Sequence, residues 1–434
     1  MKIKITGACK PAVLGICFSG LAHPAFAISD LTFSAGAGLE AHDNAGLVHS
    51  DEKSDTKRLI NADVGYKKTD GAVIVDMGYN AEYGDYQHNV QSDETAINGR
   101  TALTWTIAPR QLDVVFSHQI SQQLADRRGL DVASNREERS VLTGGVDGFL
   151  HLSAVDSLVF SPRVSDIRFQ DSDDSNSRRA TMTATLNHKL SRVSALDLTA
   201  GYDHVTFDES KNDYNSPNVM LSFNTALARL SYQIGLGANR IKRDSSDSKD
   251  VNGSTVRAAI DYKGDEGSDW GASYIRQLTD SSIGLSNFEL SVPNFESNDS
   301  NFDQFDIIQS NKVNAYWHQR INASSQLSLS AGFEKQDYKE TPRDQSIADA
   351  QAGYQYSINS RWSTGVDAQF ERTKFLDDPK SKYDTTRVYF NVTYRPLRPL
   401  EIKFSIGQDK RNADTSALSY TDKVALIGFK YKFF

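Results

Sequence analysis

The chain has 434 residues, with 48 Lys and Arg against 56 Asp and Glu and a formal charge of −8. Hydrophobic residues make up 38% and the mean hydropathy is −0.50; past residue 27 there is no run of 18 apolar residues, so no helix is available to span a bilayer. The acidic balance, with no basic stripe, argues against a nucleic-acid partner.

At the N-terminus, Lys2, Lys4 and Lys10 precede an apolar stretch from Pro11 to Ala22, and Ala25-Phe26-Ala27 supplies small residues at −3 and −1. This order predicts a Sec-type signal peptide over 1–27, leaving 28–434 as the mature part. Ile16 before Cys17 is too bulky for a lipoprotein cleavage site. Both cysteines, Cys9 and Cys17, lie in this leader, so a disulfide framework, a thiolate zinc site and a cysteine nucleophile are not expected. The leader holds three Lys and no acid, so 45 basic and 56 acidic side chains remain, a charge of −11.

Beyond the leader, apolar residues recur every second position. Leu31, Phe33, Ala35, Ala37 and Leu39 share one parity, with Thr32, Ser34, Gly36 and Gly38 between them. Val73 to Tyr83, Leu196 to Tyr202, Leu230 to Ala238, Leu327 to Phe333 and Val388 to Tyr394 repeat the pattern. Period two marks a strand with two unlike faces. Twenty strands are predicted, with cores at 30–40, 58–68, 72–84, 97–107, 111–120, 140–150, 157–168, 180–190, 195–206, 217–225, 229–240, 256–263, 269–278, 312–321, 326–336, 346–356, 361–372, 386–395, 400–408 and 423–433. The segments 217–225 and 300–325 are the least regular, so 18 is the alternative count.

Short turns such as 69–71, 191–194, 264–267, 322–325 and 396–399 alternate with long polar connections such as 41–57, 121–139, 242–255 and 279–311. That is the outer-membrane pattern of periplasmic turns and extracellular loops. The prediction is therefore all-β: a transmembrane, antiparallel, up-and-down β-barrel, integral to a bacterial outer membrane, with both termini in the periplasm. A β-propeller is the competing architecture, but its strands are shorter and come four per blade.

Tyr66, Trp105, Tyr262, Trp317, Tyr354, Tyr394 and Phe433 fall at the ends of strands returning to the periplasm, where amphipathic rings form a girdle. The last strand alternates through Ala425, Ile427, Phe429, Tyr431 and Phe433, and the chain stops at Phe434. An aromatic end of this kind resembles the signal read by the barrel-assembly machinery, the first expected partner. Outer-membrane lipid and lipopolysaccharide are the others.

The inward parity is mixed in charge. Arg100, Arg163, Arg229, Arg257 and Arg387 stand beside Asp76, Asp113, Glu334 and Asp367 as candidate pore-lining residues. The acidic excess lies in the loops, without the spacing of a calcium loop. Eight His follow the leader, and no two are spaced as metal ligands. No nucleophile–base pattern, phosphate loop or dinucleotide fingerprint occurs, so neither an enzyme nor a cofactor is expected. The longest loop, 279–311, carries Phe288, Leu290, Val292 and Phe295, poorly suited to open water. Part of it is expected to fold inward as a constriction.

The stretch from Gly36 to Ile120 resembles β-barrel porins that accompany exopolysaccharide secretion loci. The resemblance rests on Asp43-Asn44, Ser54-Asp55, Tyr79, Tyr83, Tyr86, the polar stretch to Asn98, and Thr101-Ala102-Leu103-Thr104-Trp105. Leu198-Thr199-Ala200-Gly201-Tyr202 and Leu329-Ser330-Ala331-Gly332-Phe333 follow the same style. It implies a conduit or accessory for a polysaccharide leaving the cell, with the polysaccharide and a periplasmic exporter as partners. A general diffusion porin for small solutes and a structural or adhesive envelope component are the alternatives.

Overall fold

A computed structural model describes residues 31–209, 212–244, 249–282, 305–378 and 381–434. The leader therefore lies outside the described residues, as do Phe288, Leu290, Val292 and Phe295.

The first ten strands are β1 Leu31–His42, β2 Asp55–Lys68, β3 Val73–Tyr86, β4 Glu94–Ala108, β5 Leu112–Leu124, β6 Arg136–His151, β7 Asp156–Phe169, β8 Ser177–Lys189, β9 Ser194–Phe207 and β10 Tyr214–Ala226. The second ten are β11 Leu230–Arg243, β12 Val251–Lys263, β13 Ser268–Asp280, β14 Ile307–Asn322, β15 Ser325–Tyr338, β16 Gln345–Ser357, β17 Trp362–Phe375, β18 Lys382–Leu397, β19 Leu400–Ala413 and β20 Tyr420–Lys432. Each pairs antiparallel with its successor, and β20 returns to β1 from Ser34↔Lys432 to His42↔Val424. The sheet is closed, so no edge meets lipid.

All twenty predicted strands are present. The differences sit at the extracellular ends: β6 starts at Arg136 rather than 140, β14 at Ile307 rather than 312, and β19 runs to Ala413 rather than 408. Above the lipid both faces of a strand are wet, so the period-two signal fades while ladder hydrogen bonds continue. Phe434 is tied to the first strand. Its carbonyl accepts from the Phe33 amide at 3.0 Å, and Phe33 lies 5.2 Å from the Phe433 ring and 6.0 Å from the Phe434 ring.

The two faces sort as the alternation requires. Leu39, Ile60, Leu236 and Ile406 are at least half exposed on the outside, whereas Ser34, Leu59, Val205 and Ile241 of the opposite parity are buried. Apolar side chains this exposed are stable only against hydrocarbon. From Trp362 to Arg372, from Tyr394 back to Asp384 and from Phe433 back to Lys423 the outward parity runs ten residues before its first charge. At roughly 3.4 Å per residue and a tilt of about 40°, that climbs about 26 Å, the height of an outer-membrane apolar band. Trp362 stacks on Tyr394 at 4.3 Å and Trp270 on Tyr262 at 5.6 Å at its periplasmic edge. Trp105, Trp317, Tyr354 and Phe433 are exposed on the outer face, and Tyr66 ends its ladder opposite Leu31.

Candidate functional site

A twenty-strand barrel encloses more space than wall side chains fill. Two inward-folded segments occupy its extracellular half. The first is the connection 125–135 between β5 and β6. Asn135 shapes it: its amide donates to the Asp126 and Leu130 carbonyls, and its side-chain oxygen accepts from the Asp126 amide. The far side of the segment reaches β17 to β19, more than 240 residues on. Arg128 pairs with Asp377 at 2.8 Å and lies 4.6 Å from the Phe375 ring. Arg411 donates to the Arg128 and Gly129 carbonyls and lies 3.7 Å from the Tyr383 ring. Tyr383 donates to the Arg127 carbonyl at 3.3 Å. Asp131 sits between Arg136 of its own hairpin at 2.7 Å and Arg387 of β18 at 3.1 Å. Burial raises the Asp131 carboxyl, but Arg136 and Arg387 outweigh it and hold the group below the usual carboxylate range. Strands β5 and β17 are eight steps apart by the shorter way round, so this segment crosses the lumen.

The second segment is the tip of the β13–β14 hairpin. Strand β13 pairs with β12 only up to Arg276↔Val256 but stays paired with β14 to Asp280↔Ile307. Above Arg276 the hairpin leaves the wall and leans inward. Leu278, Phe305 and Ile307 pack on Val205, Phe207, Tyr214 and Ile241 of the inner wall. Asp280 is fully buried and accepts from Arg179 at 2.8 Å and 2.9 Å, from Tyr214 at 2.5 Å and from the Ser282 hydroxyl at 2.6 Å. A buried carboxylate of this kind is tolerated only when its oxygens are saturated by such donors.

The predicted lining residues distribute as follows. Arg387 meets Asp131 of segment 125–135 at 3.1 Å. Glu334 of β15 is buried, accepting from Ser310 and Gln336 at 2.7 Å each and facing Lys312 at 3.5 Å. Asp367 accepts from Asn391 at 2.7 Å and, with Arg387, Tyr316, His318, Gln351 and Tyr389, lines a cavity of about 340 Å³. Arg163 pairs with Asp147 at 2.6 Å. Asp76 faces Lys67 at 3.8 Å, and Asp113 stands opposite Thr106 and Asp147. Arg100 lies between Gly78 and Gln119, and Arg257 between Gly235 and Ile275. Arg229 lies in the turn just before β11, where its carbonyl accepts from the Lys263 amide at 2.8 Å and its side chain binds Asp265 of a neighbouring turn at 2.6 Å.

Sequence reasoning did not single out Arg179, Tyr214, Asp280, Asp131, Tyr383 or Arg411. Each is an ordinary strand or loop residue in the one-dimensional pattern. On the outer face, His118 binds Tyr79 at 2.7 Å and Ser140 at 3.0 Å, a ladder that satisfies its ring nitrogens away from the lumen. Among the described residues, no group of three or more His, Cys, Asp or Glu could hold a metal ion.

No family model matches the chain, and no curated protein matches it. Solved barrels do. The FrpB iron transporter from Neisseria meningitidis (F5-1 variant) is 11% identical, covers 93% of this chain and 82% of its own, and has a TM-score of 0.50. The siderophore receptor PirA from Pseudomonas aeruginosa gives 12% identity, 93% and 80% coverage and a TM-score of 0.45. Pseudomonas aeruginosa OpdK with vanillate gives 8%, 93%, 99% and 0.36. At these identities the likeness is one of fold.

The protein is an integral outer-membrane β-barrel. Its outer-membrane barrel fold, its closed sheet and its apolar band agree on that placement.

Proposed function

We propose that this protein is an outer-membrane channel for an exopolysaccharide leaving the cell, with segment 125–135 as its constriction. The observation that carries the reading is that segment's seat across the lumen, made by Arg128, Asp131 and two carbonyls against β17 to β19. Polar docking of this sort is reversible in a way an apolar plug is not, because water replaces each lost hydrogen bond at small net cost. Amides, hydroxyls and paired charges line the wall below, the surface that sugar hydroxyls exchange with water most readily. The resemblance to porins of exopolysaccharide loci supports the polymer, and a periplasmic exporter is the partner such a channel would need.

A diffusion porin for small solutes is the second reading, favoured by the same narrowing of a wide lumen. Deleting the gene and measuring extracellular polysaccharide and small-solute uptake side by side separates the two. Loss of polysaccharide with normal uptake is expected. Normal polysaccharide with impaired uptake would overturn the first reading in favour of the second.

A further inference from the structure

The charge of the chain is −8, yet the periplasmic mouth is basic. Lys189, Arg192, Lys263, Arg320, Arg361 and Lys432 stand on it, all exposed. Among the described residues none of these six has a carboxylate within ion-pair distance. Asp265, Glu401 and Asp76 nearby are neutralised by Arg229, Arg395 and Lys67. Among the described residues Asp70, Asp113, Asp156, Asp197, Asp261 and Asp269 keep their charge, six carboxylates against ten cations once Lys68, Arg110, Arg398 and Lys403 of the same end are counted. The excess also has a concave home. Lys189 and Arg192 line a recess of about 510 Å³ in the inner wall, together with the amides of Asn187, Asn224 and Gln233 and the single carboxylate of Asp261. Asn187 and Asn224 are fixed there by Asp197 at 2.5 Å each.

Resting on the export reading, we infer that this mouth selects polyanionic glycans, chains carrying uronate or other acidic substituents, and receives them from the periplasm. Free cations at a low-dielectric opening raise the local concentration of a polyanion and speed its capture. The amides of the recess exchange hydrogen bonds with sugar hydroxyls while Lys189 and Arg192 meet the acid groups. The acidic loops at the far end, including Asp51, Asp173, Asp174 and Asp208, oppose entry of the same polymer from outside. Anionic phospholipid headgroups are the other chemistry that basic side chains near a membrane serve. Lys189 and Arg192 face the recess in the lumen, not the lipid, which favours the glycan.

The test uses the purified full chain in planar bilayers. Hexagalacturonate and the neutral maltohexaose are added in turn to each chamber, and current block is recorded. In the wild type, hexagalacturonate should block from the periplasmic side, with an association rate that falls steeply between 0.1 M and 1 M salt. The variant Lys189→Gln/Arg192→Gln/Lys263→Gln/Arg320→Gln should lose at least tenfold of that rate and keep its response to maltohexaose. An unchanged hexagalacturonate block in the variant would overturn the inference. So would a variant whose only change is lower thermal stability in phosphatidylglycerol-containing bilayers, the mark of a lipid contact. Equal block by both sugars, insensitive to the substitutions, would sink the charge selectivity alone. No block by either sugar in the wild type would sink the polysaccharide channel with it.

Discussion

Arg179 of β8 and Asp280 at the tip of β13 meet inside the lumen at 2.8 Å, both buried, although their strands are five steps apart around the wall. Two wall residues that far apart touch only if one strand leaves the wall. Removing one partner of a buried ion pair costs about 3–5 kcal/mol. Here that loss falls on the hairpin tip, not on the barrel ladder. Arg179→Ala should therefore raise single-channel conductance or its noise at least twofold and leave the barrel's heat-modifiability unchanged. The double variant Arg179→Ala/Asp280→Ala should be no worse than the single one, since no lone charge stays buried. Conductance equal to wild type in Arg179→Ala would refute the latch.

Segment 125–135 can be locked in place chemically. The chain's only cysteines are Cys9 and Cys17, so changing both to Ser leaves introduced thiols without competition. The pair Asp131→Cys/Arg387→Cys stands at a contact that the long Arg387 side chain bridges, so a reducible bis-methanethiosulfonate linker of similar length takes its place. The cross-linked form should hold the low wild-type conductance and stop polymer release, and reduction should restore release. Export that continues through the cross-linked form would show that the segment does not move during transport. Deleting 126–134 should raise conductance severalfold.

The docking should also respond to acid. A carboxyl whose pKa is lowered on docking contributes stability above its ordinary pKa and loses it as pH falls through the lowered value. Asp131 is such a group. Conductance should thus stay level from neutral pH down to about pH 4, near the ordinary Asp value, and rise only below it. Asp131→Asn should remove that step. A rise centred near pH 6 would point to histidine instead.

Deleting Tyr431 to Phe434 removes three aromatic rings and the hydrogen bond from Phe33 to the last carbonyl. The β1–β20 seam loses its periplasmic end. Loss of the heat-modifiable band from the membrane fraction, with periplasmic degradation, is expected. A normal band would mean that assembly does not read this end.

The fold was legible because lipid outside and water inside impose opposite demands on neighbouring residues. Leu230 to Ala238 and Val388 to Tyr394 are therefore readable without any knowledge of their partners. The inner contacts are a different matter. The connection 279–311 stands out by its apolar content, but Phe288, Leu290, Val292 and Phe295 lie outside the described residues, and of this connection Phe305 and Ile307 are seen to pack inward. Segment 125–135 did not stand out. Arg128, Gly129 and Asp131 read the same in a solvated loop, and their partners Asp377, Arg387 and Arg411 lie about 250 or more residues away.

The seat of segment 125–135 has a consequence for the order of assembly. Strands β5 and β6 begin in the first third of the chain, and their docking wall, β17 to β19, belongs to the last fifth. Contacts between regions so distant in sequence form late, after the loop-closure entropy between them has been overcome. An unfinished barrel therefore carries this segment unseated, with Arg128 and Asp131 in water. The channel narrows only when its final strands have been laid down, so completion of the wall and closure of the passage are one event.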